Sequence, residues 1–331
     1  MKALIALVLM LGLGWSAFWF VGSRHLLSEV ESRLESEPSL DVQYSDISVR
    51  GFPNRFDVTI ADLEVTDLKS GSRWAAPFLQ ILLLSYDWTH AIAVWPPTQS
   101  VSVGGENFTI DSVGMRASAM LDLRPEFKLE SITFESGQAK ILNSNLLAAS
   151  ITDAVFAAKR HESTPGLFRI GISIPKAELV RMAKSGSGGA SNLNLAISNL
   201  LGDLRVRYGT SPRFGNFRSL ETRISEISVD RLTSNLNSLD VSVDGSLEIS
   251  ASGHPVGELA LELKNPQVLL DFATASGVLS ELQATVISFA LPLLAERGST
   301  AGAFRIPVQF KDGQTILAGT RIGPAWRLAR E

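Results

Sequence analysis

Hydrophobic and polar positions along this 331-residue chain fall into three textures. From Ala3 to Ser23 no residue is charged, and the run begins one position after Lys2. At 1.5 Å per helical residue it reaches roughly 30 Å, about the thickness of a bilayer's hydrocarbon core. This predicts an N-terminal transmembrane helix. His25 to Ser36 then carries Leu26, Leu27, Val30 and Leu34 at helical spacing among Glu29, Glu31 and Glu35, a short amphipathic continuation of that helix. Pro38 ends it, because proline lacks the amide proton and disfavours helix in the residue before it.

The second texture runs to about residue 263 and has a period of two. In Phe168-Arg-Ile170-Gly-Ile172-Ser-Ile174 every second side chain is large and apolar. The same alternation marks Met115 to Leu123, Leu239 to Val243, Leu247 to Ile249, and Leu259, Leu261 and Leu263. It predicts strands with one apolar and one polar face, as in antiparallel sheets. Gly104-Gly105, Asp244-Gly245 and Asp312-Gly313 supply turn signals. The continuous runs Gln80–Ser85 and Ala91–Trp95 predict strands covered on both faces. Residues 185–191, Ser-Gly-Ser-Gly-Gly-Ala-Ser, predict a flexible loop between two similar sub-halves.

The third texture is helical. Pro266 suits a helix start before Val268, Leu269, Leu270 and Phe272, and Leu279 to Leu294 has an apolar face at Leu282, Val286, Ile287 and Leu291. Strands return at Phe304–Phe310 and Thr315–Ala318. The expected fold is therefore mainly β with some α: a long twisted antiparallel sheet, forming a groove or a sandwich, between an N-terminal transmembrane helix and two amphipathic helices near the C-terminus.

Composition narrows the setting. A net charge of −4 with scattered basic residues argues against a nucleic-acid partner, which needs a clustered cationic face. Cysteine is absent, so disulfides, thiolate zinc sites and cysteine nucleophiles are all excluded. The uncharged run is longer than the apolar part of a secretory signal and ends in bulky Trp15, Phe18, Trp19 and Phe20, rings that favour a membrane interface. Val21-Gly22-Ser23 meets a small-residue cleavage rule, but the run reads as a retained single-pass anchor over residues 1–25. Residues 26–331 are then expected on the exported side.

Constellations that carry chemistry are sparse. None of the histidines His25, His90, His161 and His254 lies three or four residues from another, so sequence neighbours form no helical metal pair. No Gly-x-Ser-x-Gly elbow is present. The glycines around Ser187 lack the Lys-Ser/Thr that a phosphate loop requires. Carboxylates such as Asp240 and Asp244 fit the solvent face of alternating strands. Catalytic residues, cofactors and metals are expected to be absent, and the chain does not read as an enzyme.

Two segments carry a resemblance. Arg50-Gly51-Phe52-Pro53-Asn54-Arg55-Phe56 follows the anchor, and Trp74-Ala-Ala-Pro77-Phe78 follows in turn, with a closing hairpin at Asp312-Gly313 and Gly323-Pro324-Ala325. In that order the chain resembles an uncharacterised bacterial envelope family, domain of unknown function 2125, and is similar in architecture to AsmA-like proteins. The resemblance implies a groove-shaped protein of the inner membrane, its bulk periplasmic, associated with lipid handling. It implies no catalytic residue.

Gly51, Phe52, Pro53, Trp74, Pro77 and Phe78 read as structural. Gly51 permits unusual backbone angles and Pro53 fixes φ, so Phe52 is expected in the core of a bend between Tyr44–Val49 and Phe56–Ile60. The apolar sheet face must be hidden from water, by helices, by a second sheet layer or by a bound apolar molecule. Each lipid methylene buried there gains about 0.8 kcal/mol. The first expectation is a protein that shelters or passes membrane-lipid acyl chains, with Phe168, Ile170, Ile172, Ile174, Leu259, Leu261 and Leu263 lining the groove. The alternative is a structural adaptor whose sheet edge pairs with an envelope protein partner.

Overall fold

The computed structural model describes residues 1–122, 128–143, 147–181, 193–209, 224–275, 280–294, 296–297 and 302–328. The loop expected at 185–191 lies outside the described residues. In chain order α1 (Lys2–Glu35) precedes β1 (Leu40–Gln43), β2 (Asp46–Arg50), β3 (Arg55–Asp67), β4 (Arg73–Leu84), β5 (Asp87–Val94), β6 (Thr98–Val103), β7 (Glu106–Val113), β8 (Arg116–Asp122), β9 (Lys128–Glu135) and β10 (Gln138–Asn143). Then come β11 (Leu147–Thr152), β12 (Val155–Arg160), β13 (Leu167–Arg181), β14 (Leu193–Tyr208), β15 (Ile224–Leu236), β16 (Leu239–Ile249) and β17 (Pro255–Lys264). The chain ends with α2 (Gln267–Ala275), α3 (Glu281–Leu294), β18 (Glu296–Arg297), β19 (Ala303–Lys311), β20 (Gln314–Leu317) and β21 (Thr320–Pro324). The protein is mainly β, as the alternation predicts, and the strand pairings described below are all antiparallel. Two compact units divide the chain: one of residues 1–120 and 136–145, the other of 121–135 and 146–331.

In the first unit, α1 runs 34 residues without interruption, joining the uncharged run and its amphipathic continuation. Its amide ladder closes on Ser36, whose N–H donates to the Ser32 carbonyl at 3.0 Å. β3 is the organising strand. β2 pairs its first half and β1 its second half, while β4 lies along its other edge. β4 pairs β5 and β6, β6 pairs β7, β7 pairs β10, and β5 pairs β8. The inward side chains of β2 and β3, Ile47, Val58, Ile60 and Leu63, form a buried cluster against which Leu26, Leu27, Val30 and Leu34 of α1 pack. Burying each such side chain stabilises by about 1.5–3 kcal/mol, so the amphipathic half of α1 is part of the folded unit.

Trp74 of β4 joins the edge of this cluster and donates its indole N–H to buried Gln99 at 3.0 Å. Pro77 falls opposite Asp62, which stands between the paired positions Ala61↔Phe78 and Leu63↔Ala76 with φ +49°. A proline offers no ladder donor, so the irregularity falls where a hydrogen bond would be missing in any case. Pro77 itself is exposed and Phe78 half-buried. The run from Gln80 to Leu84 is half-buried at every position, as its continuous apolarity predicts.

In the second unit, β9, β12, β13, β14, β15, β16, β17, β19, β20 and β21 pair in succession. β13 is long enough to take β12 along its first half and β11 along its second. Both helices expected after Pro266 are present as α2 and α3. Val268 of α2 packs on a buried cluster of Leu239, Leu263 and Ile306, and Leu270 is buried. On α3, Leu282 and Val286 were expected on a covering face; both are exposed, together with Phe289.

Candidate functional site

Two regions of the molecule bring apolar side chains to the surface. The first lies in the first unit, where α1 meets the bend Gly51–Asn54. Gly51 has φ +104°, and a Cβ there would lie 2.9 Å from the Arg55 carbonyl oxygen, so the turn requires glycine. The turn throws Phe52 outward: it is 49 % exposed, and the core position expected for it belongs to fully buried Phe56. Parity does not separate the two residues; their place relative to the strand does. Phe56 opens β3 in phase with Val58 and Ile60, whereas Phe52 stands at the tip, before the strand phase begins.

Phe56 and Phe52 hold the helix between them. Trp19 stacks on Phe56 with ring centroids 5.5 Å apart and meets Phe52 edge-on at 5.5 Å, while Phe20 stacks on Phe52 at 5.9 Å. Trp19 is 5 % exposed and donates its indole N–H to the Arg55 carbonyl at 2.8 Å; Trp15 donates to the Pro53 carbonyl at 3.0 Å. Gly22 makes room for this approach, since a Cβ there would lie 3.2 Å from the Phe56 ring. The β4–β5 turn completes the collar. Ser85 donates through Oγ to Pro53 O at 3.1 Å, and Trp88 meets Phe56 edge-on at 5.4 Å. Trp15 to Phe20 thus do more than suit a membrane interface: Trp19 is a core residue of the first unit.

The second region is the apolar face of the second unit. Register places Phe134, Phe156, Ile172, Gly202, Leu232, Val243, Leu261 and Ile306 in one row across eight strands. At about 4.8 Å per strand that row is about 34 Å long. A parallel row contains Ile170, Leu204, Val229, Gly245, Leu259 and Val308. Side chains meet over the glycine gap, where a Cβ at Gly202 would lie 3.1–3.3 Å from Leu232, Ile172 and Leu204.

Of the seven residues expected to line a groove, Ile170, Ile172, Ile174, Leu259 and Leu261 are half-buried on this face. Phe168 and Leu263 are buried instead. Phe168 packs edge-on to Tyr208 at 5.7 Å, in a setting whose burial raises the Tyr208 hydroxyl above its ordinary pKa, and Leu263 belongs to the cluster under α2. Leu232 and Val243 of the first row and Leu204 of the second were not among the residues expected to line a groove, because alternation identifies a face within one strand, and only register joins faces between strands.

The opposite face of the same strands is charged. Arg169 pairs with Asp203, Arg205 with Asp230 and Arg207 with Glu226. Hydrogen bonds from Arg169 and Arg207 hold the Asp203 and Glu226 carboxyls below their ordinary range. A shallow depression of about 350 Å³ here is lined by His161, Leu167, Arg169, Arg205 and Asp230, its cations already paired. Among the described residues no group of three or more His, Asp or Glu is placed to hold a metal ion.

No curated protein and no solved structure matches the chain. A family model does, beginning at the buried Trp19 and ending at Ala325, which packs on Leu247 and Phe310. Over residues 19–325 the chain matches the family described as uncharacterized protein conserved in bacteria (DUF2125), and it belongs to that family.

Proposed function

We propose that the protein is a non-enzymatic envelope protein, held in the inner membrane by α1 with its bulk in the periplasm, which shelters or passes lipid acyl chains along the apolar face of its second unit. α1 supports the anchor, because it is long and apolar enough to cross a bilayer. The observation that carries the reading is the apolar row across eight strands, half-buried from Ile172 to Leu261, and backed by a face of paired charges. Such a face gains about 25 cal/mol for each Å² of apolar surface removed from water, and an acyl chain needs no polar contact to supply it. Headgroups would remain at the open rim.

Lipid retention by the full chain tests this. Protein exchanged into a lipid-free peptide belt is weighed intact by mass spectrometry, beside Ile172→Asp and Leu261→Asp variants. Near-stoichiometric phospholipid in the wild type, lost from both variants, is the expected result. Equal lipid in all three would assign it to α1 and sink the groove. A lipid-free protein that carries one stoichiometric protein partner would favour the sheet-edge adaptor.

A further inference from the structure

The collar sits close to the start of the uncharged run. Trp15 is the first residue of α1 to bond the bend, and the uncharged run that opens after Lys2 holds residues 3–14 before that contact. Twelve helical residues rise about 18 Å, well short of a hydrocarbon core of about 30 Å. A crossing helix must therefore stay in lipid to about residue 22, through the turns that grip Phe52 and Phe56.

Building on the reading of α1 as a membrane span, we infer that the bend Gly51–Asn54 and the adjoining turn at Tyr86 enter the interfacial layer of the same bilayer, with Phe52 among acyl chains and Arg50 and Arg55 at the lipid phosphates. The exposed surface has the composition this requires. Phe18, Phe20, Phe52 and Tyr86 are exposed, with the indoles of Trp15 and Trp88 beside them, amphipathic rings of the kind enriched where hydrocarbon meets headgroups. Arg50 and Arg55 flank the tip and Arg24 follows the collar on α1, all three exposed. Among acids close to the tip, Asp57 is engaged by Arg55 at 2.9 Å, and Asp87 accepts from the hydroxyl and amide of Thr89. The bilayer surface is thus met by rings and guanidinium groups. The first unit would not hang from a stalk; it would be seated in the leaflet.

The absence of cysteine makes the test direct. Single-cysteine variants of the full chain, Phe52→Cys, Tyr86→Cys, Leu9→Cys and Leu68→Cys, carry a polarity-sensitive dye in phosphatidylethanolamine–phosphatidylglycerol vesicles with and without nitroxide-labelled lipid. Leu68 is an exposed apolar residue just past the far end of β3, about 40 Å from the bend at 3.3 Å per residue. Dye at positions 52 and 86 should lose most of its emission to nitroxide lipid, as at position 9, while position 68 is unmoved. Asn54→Cys reads the same tip if Phe52→Cys disturbs the collar. Positions 52, 54 and 86 behaving like 68 while 9 is quenched would overturn the inference and leave the anchor standing. An unquenched position 9 would overturn the anchor itself. Protection of position 52 in cell membranes but not in pure lipid would assign the tip to a protein partner and overturn the lipid contact.

Discussion

The two units carry the same strand alternation and treat their apolar faces differently. In the first, Val58, Ile60 and Leu63 of β3 are almost wholly removed from water, because α1 lays Leu26, Leu27, Val30 and Leu34 across them. In the second, Ile170, Ile172 and Ile174 of β13 keep part of their surface, and the described cover reaches the cluster at Leu239, Leu263 and Ile306. An alternating pattern specifies which face is apolar but is silent on what covers it. Cover depends on a second element, and in the first unit that element is the continuation of the apolar helix.

Mutation can break or sharpen this contrast, and the largest effect belongs to the collar. Phe56→Ala removes the ring that Trp19 stacks on and should destabilise the first unit by about 3–5 kcal/mol, read as a lowered denaturant midpoint. A loss below 1 kcal/mol would mean that α1 is merely adjacent to the sheet. Next comes a matched pair. Ile60→Ala should cost about 2–5 kcal/mol, since it opens a cavity under α1. Ile172→Ala, on the half-buried face, should cost about 1 kcal/mol, the transfer of its buried portion without a cavity. Equal losses would show the second face filled and would erase the contrast on which the lipid reading rests.

The smallest effect is on the charged face of the second unit. Asp203 and Glu226 have carboxyl pKa values lowered in the folded protein, so their stabilisation is present above the unfolded carboxylate range. It fades as pH falls below about 4 and is lost once pH passes below the folded pKa values, which lie beneath the ordinary range. Exposed pairs contribute about 0–1 kcal/mol each, so Asp203→Asn should lower the melting temperature slightly at pH 7 and by less at pH 3. An equal shift at both pH values would place the effect in packing.

Much of this architecture was legible from the chain. The long apolar helix follows from an uncharged run, and its amphipathic extension, the alternating strands and the two C-terminal helices follow from periodicity, all local properties. What was not legible is what long-range pairing decides. Phe52 and Phe56 are four residues apart and so share one phase of a period-two pattern; which one enters the core is decided by where β3 begins, after the turn that holds Phe52. Trp19 reads as an interfacial ring until Phe56 is brought beneath it across 37 positions. Phe168 and Leu263 look like the rest of their alternating runs, yet Tyr208 and the Leu239 cluster bury them.

The unbroken course of α1 has a mechanical consequence. Lys2 to Glu35 contains no proline, and Trp15, Trp19 and Leu26 to Leu34 fasten the same rod to the first unit at successive turns. No swivel separates the apolar half of α1 from the unit it carries. If α1 crosses a bilayer as proposed, leaning to match a thinner one leans that unit with it, by the same angle. Local membrane thickness would set the pose of the first unit directly, with the rod acting as a lever about 50 Å long.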